Sequence, residues 1–474
     1  MTNFRSAIAN SLKRSIHFWL GARDRRKRIM ASLACFFLSL LLAVSTGPLP
    51  VRSQYPPPKR QESSEIGNPV RAGQFSEAIA QLEGTWERQY ENYFGEDFVN
   101  QSMDADEIAN KLLQVGDRIG KRPAVLWAAP RADHLAIMLV TPHHHKITRI
   151  VSEARRDELF RVARQFYRNI TRPGGRQTGY LPAAQQLYQW IVGPVAAELE
   201  AEEIDTLLFC VGEGLRSLPF AALHDGRQFL IEKYSITRIP AFNLTDTDFS
   251  GIRNARVLAM GASEFTELSP LPGVALELST ITPQPWQGKA FLNQDFTVSN
   301  LQEQRRAEDF EIVHLATHAE FKAGNPSNSY IQFFDSRVGL DRLRQLRWSD
   351  PPVELLVLSA CKTAVGDREA ELGFAGFAVQ AGVKSAIASL WYVSDLGTLA
   401  LMSEFYQQLK TLPLKAEALR QAQIAMLRGE IQIEQGQLRT PRGEVNLPSG
   451  LAALREDLSS PYYWAAFSTI GSPW

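Results

Sequence analysis

An α/β protein, with a mostly parallel sheet covered by helices on both faces, is the fold this sequence predicts. Three observations point to it. Short, mostly apolar runs recur at residues 206–211, 257–261, 312–316, 354–359, 385–390 and 465–470, as expected of strands buried on both faces. Helical patterns fall between several of them, at 273–282, 298–305, 374–381 and 396–409, and strands alternating with helices argue for a parallel sheet. Two of the runs pass directly into a reactive side chain: Val313-His314-Leu315-Ala316-Thr317-His318 reaches a histidine and Leu356-Val357-Leu358-Ser359-Ala360-Cys361 a cysteine. In a parallel sheet both would stand at the carboxyl ends of strands, where open α/β folds place their sites.

The 474 residues are 45% hydrophobic and 22% charged, ordinary globular values that suggest two or three domains. Lys plus Arg and Asp plus Glu balance at 51 each, so no basic field favours nucleic acid. The charge is uneven at the amino end. Arg23, Arg25, Arg26, Lys27 and Arg28 precede an apolar run over 29–44, followed by small residues, Ala43-Val44-Ser45. This is the layout of an export signal. Its 16 residues span about 24 Å as a helix, against a hydrocarbon core of about 30 Å, which favours a cleaved signal over a stable anchor. The 28 residues before the run are long for a cleaved signal, and secreted and anchored forms both remain open. The positive flank is expected to keep 1–28 inside and send the rest across the membrane.

Residues 46–70, with Tyr55-Pro56-Pro57-Pro58-Lys59-Arg60, read as an extended linker. Over 74–94, Phe75, Ala78, Ile79, Leu82 and Trp86 recur at helical spacing, and a second helix runs from Asp104 to a stop at Gly120. The first resembles the opening of a tetratricopeptide unit. A solenoid needs several units, so 71–120 is read as a helical lead-in. A β/α extension over 121–179 follows, with strands at 124–129, 135–141 and 147–151 and a helix at 153–166. The turn Pro142-His143-His144-His145 is read as a solvated hairpin turn rather than a metal site. No carboxylate or cysteine cluster stands near it in sequence, and three consecutive residues cannot all face one ion. A further helix is expected over 183–200 and a hairpin turn at Asp225-Gly226. The polar stretch 429–448 reads as a long surface loop of the kind that forms lids.

The cysteines are Cys35, inside the apolar run, Cys210 and Cys361; their spacing suits neither a disulfide framework nor a metal site. A buried structural thiol is the ordinary reading of a cysteine. Cys361 differs from that pattern because it stands where a strand pattern stops, beside the cation Lys362 and ahead of a helix, all of which favour thiolate. His318 closes the other run and would be its base, whereas His314 lies within the strand and is expected to be packed. Gly373, Gly376 and Gly382 are read as helix packing and capping positions. Serine-elbow, zinc-helix and phosphate-loop motifs do not occur.

The segments around these residues resemble the CHAT domain, a caspase-like module often found behind tetratricopeptide repeats in bacteria. The resemblance rests on Leu356 to Ala364 around the cysteine and on His314-Leu315-Ala316-Thr317-His318-Ala319-Glu320-Phe321. It rests also on Leu215-Arg216-Ser217-Leu218-Pro219-Phe220, Ala388-Ser389-Leu390-Trp391-Tyr392-Val393-Ser394-Asp395 and Pro461-Tyr462-Tyr463-Trp464-Ala465-Ala466-Phe467. These occur in order over 180–474. The family is similar to caspases, separases and gingipains. The resemblance implies a caspase-like α/β sheet and a cysteine endopeptidase acting on protein or peptide, with Cys361 as nucleophile and His318 as base. It also implies oxyanion stabilisation by backbone N–H groups at Ala319 and Cys361, and no metal or organic cofactor. Ala319 departs from the glycine usual after that histidine; were the position to need positive φ, alanine would cost on the order of 1 kcal/mol. Asp395 is a candidate for binding a basic substrate side chain, as in relatives with Arg or Lys preference, or else a helix N-cap before Leu396. A non-catalytic scaffold on the same fold is the rival reading.

Overall fold

The computed structural model describes residues 74–98, 102–172, 178–363, 366–412, 414–452 and 456–474. The segments read as an export signal and as a linker lie outside these residues. No helix among the described residues is long and apolar enough to cross a membrane. The described residues belong to one compact unit.

Helices α1 (Phe75–Phe94) and α2 (Ala105–Ile119) come first, both ended by a left-handed glycine, Gly95 and Gly120. Asp104 caps α2 in a reciprocal box with Glu107. Strands β1 (Pro123–Pro130), β2 (Leu135–Val140) and β3 (Lys146–Val151) form an antiparallel meander. Helix α3 (Arg156–Ile170) is followed by α4 (Leu181–Ile191), which stops short of Gly193-Pro194. The helix expected over 183–200 is broken there, because a proline inside it would remove an N–H and clash with the preceding turn.

The remaining chain supplies β4 (Thr206–Val211), β5 (Ser235–Ile239), β6 (Val257–Gly261), α5 (Val274–Ile281), β7 (Gly288–Leu292) and α6 (Val298–Ala307). Next come β8 (Ile312–Phe321), β9 (Tyr330–Gln332), β10 (Arg337–Gly339), β11 (Leu355–Thr363), α7 (Arg368–Ala375), α8 (Phe377–Ala381) and β12 (Ser385–Ser389). The last elements are α9 (Asp395–Thr411), α10 (Lys415–Leu427), β13 (Gln432–Glu434), β14 (Gln437–Thr440), β15 (Gly443–Asn446) and β16 (Phe467–Gly471).

One sheet takes the order β10-β9-β8-β11-β12-β16-β5-β4-β1-β2-β3, with β6 and then β7 added beside β8. Its centre is parallel through β7, β6, β8, β11 and β12, and again through β16, β5, β4 and β1. The join of β12 to β16 and both margins are antiparallel. Both faces are covered. Ala124, Leu126, Ala128, Leu207 and Phe209 enter the larger core, while the alternate residues Val125, Trp127, Ala129, Leu208 and Cys210 pack with Ile79, Trp86, Ile108 and Leu112 of α1 and α2. Glu83 ties α1 to that face by accepting from Trp127 Nε1 (2.6 Å) and Asn243 N (3.0 Å).

Two expectations are corrected. The reactive residues do not end their strands, because β8 continues to Phe321 and β11 to Thr363; β9 pairs with Ala319 and Glu320 and so prolongs the ladder. The expected surface loop at 429–448 contains the three-stranded sheet β13-β14-β15, turned at Gln435 and Gly436, both with positive φ, and anchored by fully buried Leu438. The turn expected at Asp225-Gly226 is present, closed by an antiparallel bridge between His224 and Phe229.

Candidate catalytic site

The site follows from the register of β8 and β11. Ile312 to Leu315 stand opposite Leu355 to Leu358; beyond that, His318 pairs with Ala360, Ala319 with Cys361 and Glu320 with Lys362. Here β8 advances three residues while β11 advances two, so β8 carries a bulge at Ala316-Thr317. A bulge re-aims the side chains that follow it. Ala316 and Thr317 are buried, and His318 is partly exposed. Cys361 is described by its backbone register alone. It lies one residue along the neighbouring strand from the partner of His318, so its α-carbon is about 6 Å away for strands about 4.8 Å apart.

His318 is held from the segment after β6. Its Nε2 lies 2.8 Å from the carbonyl oxygen of Ser269, and its ring packs on Phe265 with centroids 4.8 Å apart. A carbonyl only accepts, so Nε2 carries the proton and donates it, leaving Nδ1 as the basic nitrogen. Sequence reasoning missed Ser269 because every residue has a carbonyl and nothing in a side chain marks its use.

His314 is a core residue. It is fully buried, with Nδ1 3.0 Å from Tyr406 Oη and Nε2 3.0 Å from Glu277 Oε1, the latter without hydrogen-bond geometry. Burial pushes the Tyr406 phenol well above its ordinary value, and the Glu277 charge adds to this. Ala319 is buried between Cys361 of β11 and Ile331 of β9. Its φ is not positive, so alanine carries no left-handed strain there.

Asp395 opens α9, and its carboxylate accepts from the Gly273 backbone N–H at the start of α5. Burial pushes its pKa up to about 6, helped by the Glu277 charge and opposed by the Gly273 N–H. The N-cap of α9 is Ser394, not Asp395: Ser394 Oγ accepts from Gly397 N (3.1 Å) and donates to Glu456 (2.6 Å). The segment before it exposes Tyr392, whose carbonyl accepts from Tyr462 Oη (3.1 Å).

A cleft of about 480 Å³ lies nearby, lined by Phe160, Tyr167, Gly214, Ser217, Gly366 and Glu371 among others. Gly366 follows Cys361 by five residues. Thr363 N and Tyr167 Oη both donate to the Leu390 carbonyl (3.2 and 3.3 Å), which sets the cleft beside the carboxyl ends of β11 and β12.

The three-histidine turn has carboxylate partners that sequence proximity could not reveal. His143 Nδ1 lies 3.2 Å from Glu202 Oε2, His145 reaches the other oxygen of Glu202, and His144 lies 3.2 Å from Asp106 Oδ1. All three rings remain exposed, and among the described residues no group could hold a metal ion. Cys210 is fully buried, and its thiol is pushed up by burial and by Glu83.

These elements define an α/β protein with a mostly parallel, helix-flanked sheet. The chain belongs to the CHAT domain family, whose model matches residues 181–472. Among solved structures it is similar to separase in the Saccharomyces cerevisiae separase–securin complex, at 10% identity and a TM-score of 0.43 over 78% of this chain. That match covers 32% of the separase chain, so this protein spans about a third of its length. It is similar also to the Arg-specific cysteine proteinase gingipain R, at 13% identity and a TM-score of 0.38 over 67% of this chain and 74% of that one. The complex of Porphyromonas gingivalis RgpB pro- and mature domains matches at 12% identity, with a TM-score of 0.37, over 67% of this chain and 77% of that one. No curated protein matches the chain significantly.

Proposed function

We propose that this protein is a cysteine endopeptidase in which Cys361 is the nucleophile and His318 the base. The observation that carries the reading is the β8–β11 register, with His318 one step diagonal to Cys361 and its Nε2 bound to the Ser269 carbonyl. In this reading, His318 Nδ1 takes the thiol proton and the thiolate attacks the scissile carbonyl. Backbone N–H groups at Cys361 and Ala319 serve the oxyanion. The C–N bond then breaks as His318 returns the proton to the leaving amine, and water, deprotonated by the same ring, releases the acyl group from sulfur.

The substrate is a protein or peptide. Asp395, with its carboxyl near the rim beside exposed Tyr392, selects a basic side chain at the scissile position. The amino-terminal basic and apolar segments direct the chain out of the cytoplasm, cleaved or anchored. The test is hydrolysis of a fluorogenic peptide library by wild type, Cys361→Ala and His318→Ala. Wild type should cleave and both variants should lose activity while keeping the wild-type unfolding curve. Equal turnover by all three, or none by wild type under any condition, would replace the enzyme with the scaffold reading.

A further inference from the structure

One buried carboxylate binds Gly366, the first described residue after β11. Glu371, in α7, is 1% exposed. It accepts from Gly214 N (2.8 Å) and Ser217 Oγ (2.8 Å), both in the segment after β4, and from the backbone N–H of Gly366. Gly366 has φ 82°, a left-handed backbone. Glu371 therefore joins the segments that follow β4 and β11 in the lining of the cleft.

The carboxylate is itself held. Arg216 is 1% exposed and adds a favourable charge toward Glu371; its Nη2 donates to Gln89 of α1 (2.6 Å) and its guanidinium lies over the Tyr90 ring at 5.3 Å. Helix α7 is wedged against α1. A Cβ on Gly376 would meet Phe94 at 2.7 Å and Tyr90 at 2.8 Å, and one on Gly373 would meet Tyr93 Oη at 3.1 Å. An apolar side chain would fill the same space without the desolvation that burial of a carboxylate costs. What the carboxylate adds is direction, because it aligns three donors, one of them on the backbone that follows Cys361.

We infer that Glu371 is a positioning residue for the nucleophile: by holding Gly366 to Gly214 and Ser217 it fixes the chain after Cys361 and so the approach of the thiol to His318. The inference rests on the reading of Cys361 as nucleophile. Misplacement by about 1 Å can cost about 100-fold in rate, so a loosened clamp would act on turnover rather than on substrate affinity.

The experiment compares wild type with Glu371→Gln, Glu371→Ala and Ser217→Ala. Iodoacetamide alkylation of Cys361 is followed against pH, with the adduct located by mass spectrometry so that Cys210 is not counted. Peptide kcat and KM and thermal unfolding are measured beside it. Glu371→Gln keeps the shape and should fold. Its alkylation midpoint should rise by about one unit, a tenfold loss of thiolate below the midpoint, and its kcat should fall about 10- to 100-fold with KM unchanged. Ser217→Ala should shift both less. A lowered melting temperature with wild-type alkylation midpoint and kcat in Glu371→Gln would make the residue merely structural and overturn the inference. Absence of wild-type peptide hydrolysis would count against the enzyme reading alone; the alkylation profile still decides the clamp.

Discussion

Replacing Asp395 by Asn should stabilise the protein at neutral pH, and the gain should vanish in acid. Burial pushes the Asp395 carboxyl from its ordinary 3.8 to about 6 in the folded chain. A carboxyl raised on folding favours the protonated fold. Its contribution is fully present below about pH 4 and is lost as pH rises through 6. The shift, from 3.8 to about 6, corresponds to about 3 kcal/mol of cost to the folded state at pH 7, at about 1.4 kcal/mol per unit. Asn keeps an oxygen for the Gly273 N–H and has no charge to bury. Denaturant unfolding of wild type and Asp395→Asn from pH 4 to pH 8 measures this. The gap between the two curves should open across pH 4 to 6 in favour of the variant, approaching about 3 kcal/mol. In the proposed function the same variant should lose preference for a basic scissile residue, so that stability and selectivity trade against each other at one side chain. A gap that stays flat from pH 4 to 8 would refute the burial argument. A gap that opens with unchanged cleavage preference would leave the burial and remove Asp395 from the substrate site.

Glu417 should behave in the opposite sense. Burial raises its pKa, but hydrogen bonds from Ser235 and Gln421 and the charges of Arg420 and Lys121 outweigh it and hold the carboxyl at about 2 against 4.5. About 3 kcal/mol of stability is therefore present above pH 4.5 and lost as pH falls through 2, and Glu417→Gln should remove that acid dependence in denaturant melts. His314→Ala should cost about 3 kcal/mol, since it opens a cavity and strips Tyr406 Oη and Glu277 of a buried neighbour. It should leave the alkylation profile of Cys361 as in wild type, which separates the packed histidine from the proposed base.

What was legible in the sequence follows from burial on two faces. The strands at Thr206–Val211 and Val257–Gly261 were read with their observed bounds, because these strands, covered on both sides, are almost wholly apolar. β5 was missed for the converse reason. Ser235, Thr237 and Arg238 are buried polar residues, with Thr237 donating to Gly471 O and Arg238 to Leu218 O. α10 was hidden likewise by buried Lys415, Glu417 and Gln423, so no amphipathic face could be recognised. The strands β13 to β15 were hidden by being short, polar and exposed or half-buried, with Leu438 the one full anchor.

The candidate site divides along the same line. The sequence by itself determined the segments, because His318 and Cys361 interrupt apolar runs and chain chemistry is local. Only the tertiary structure decided the bulge at Ala316-Thr317, the Ser269 carbonyl on His318, the Gly273 N–H on Asp395, and the meeting of Glu202 with His143 and His145. These contacts join residues between about 50 and 120 positions apart, or use backbone groups that every residue carries. Side-chain pattern records which face of an element is buried, whereas the partner of a polar group is set by which elements the fold brings beside it.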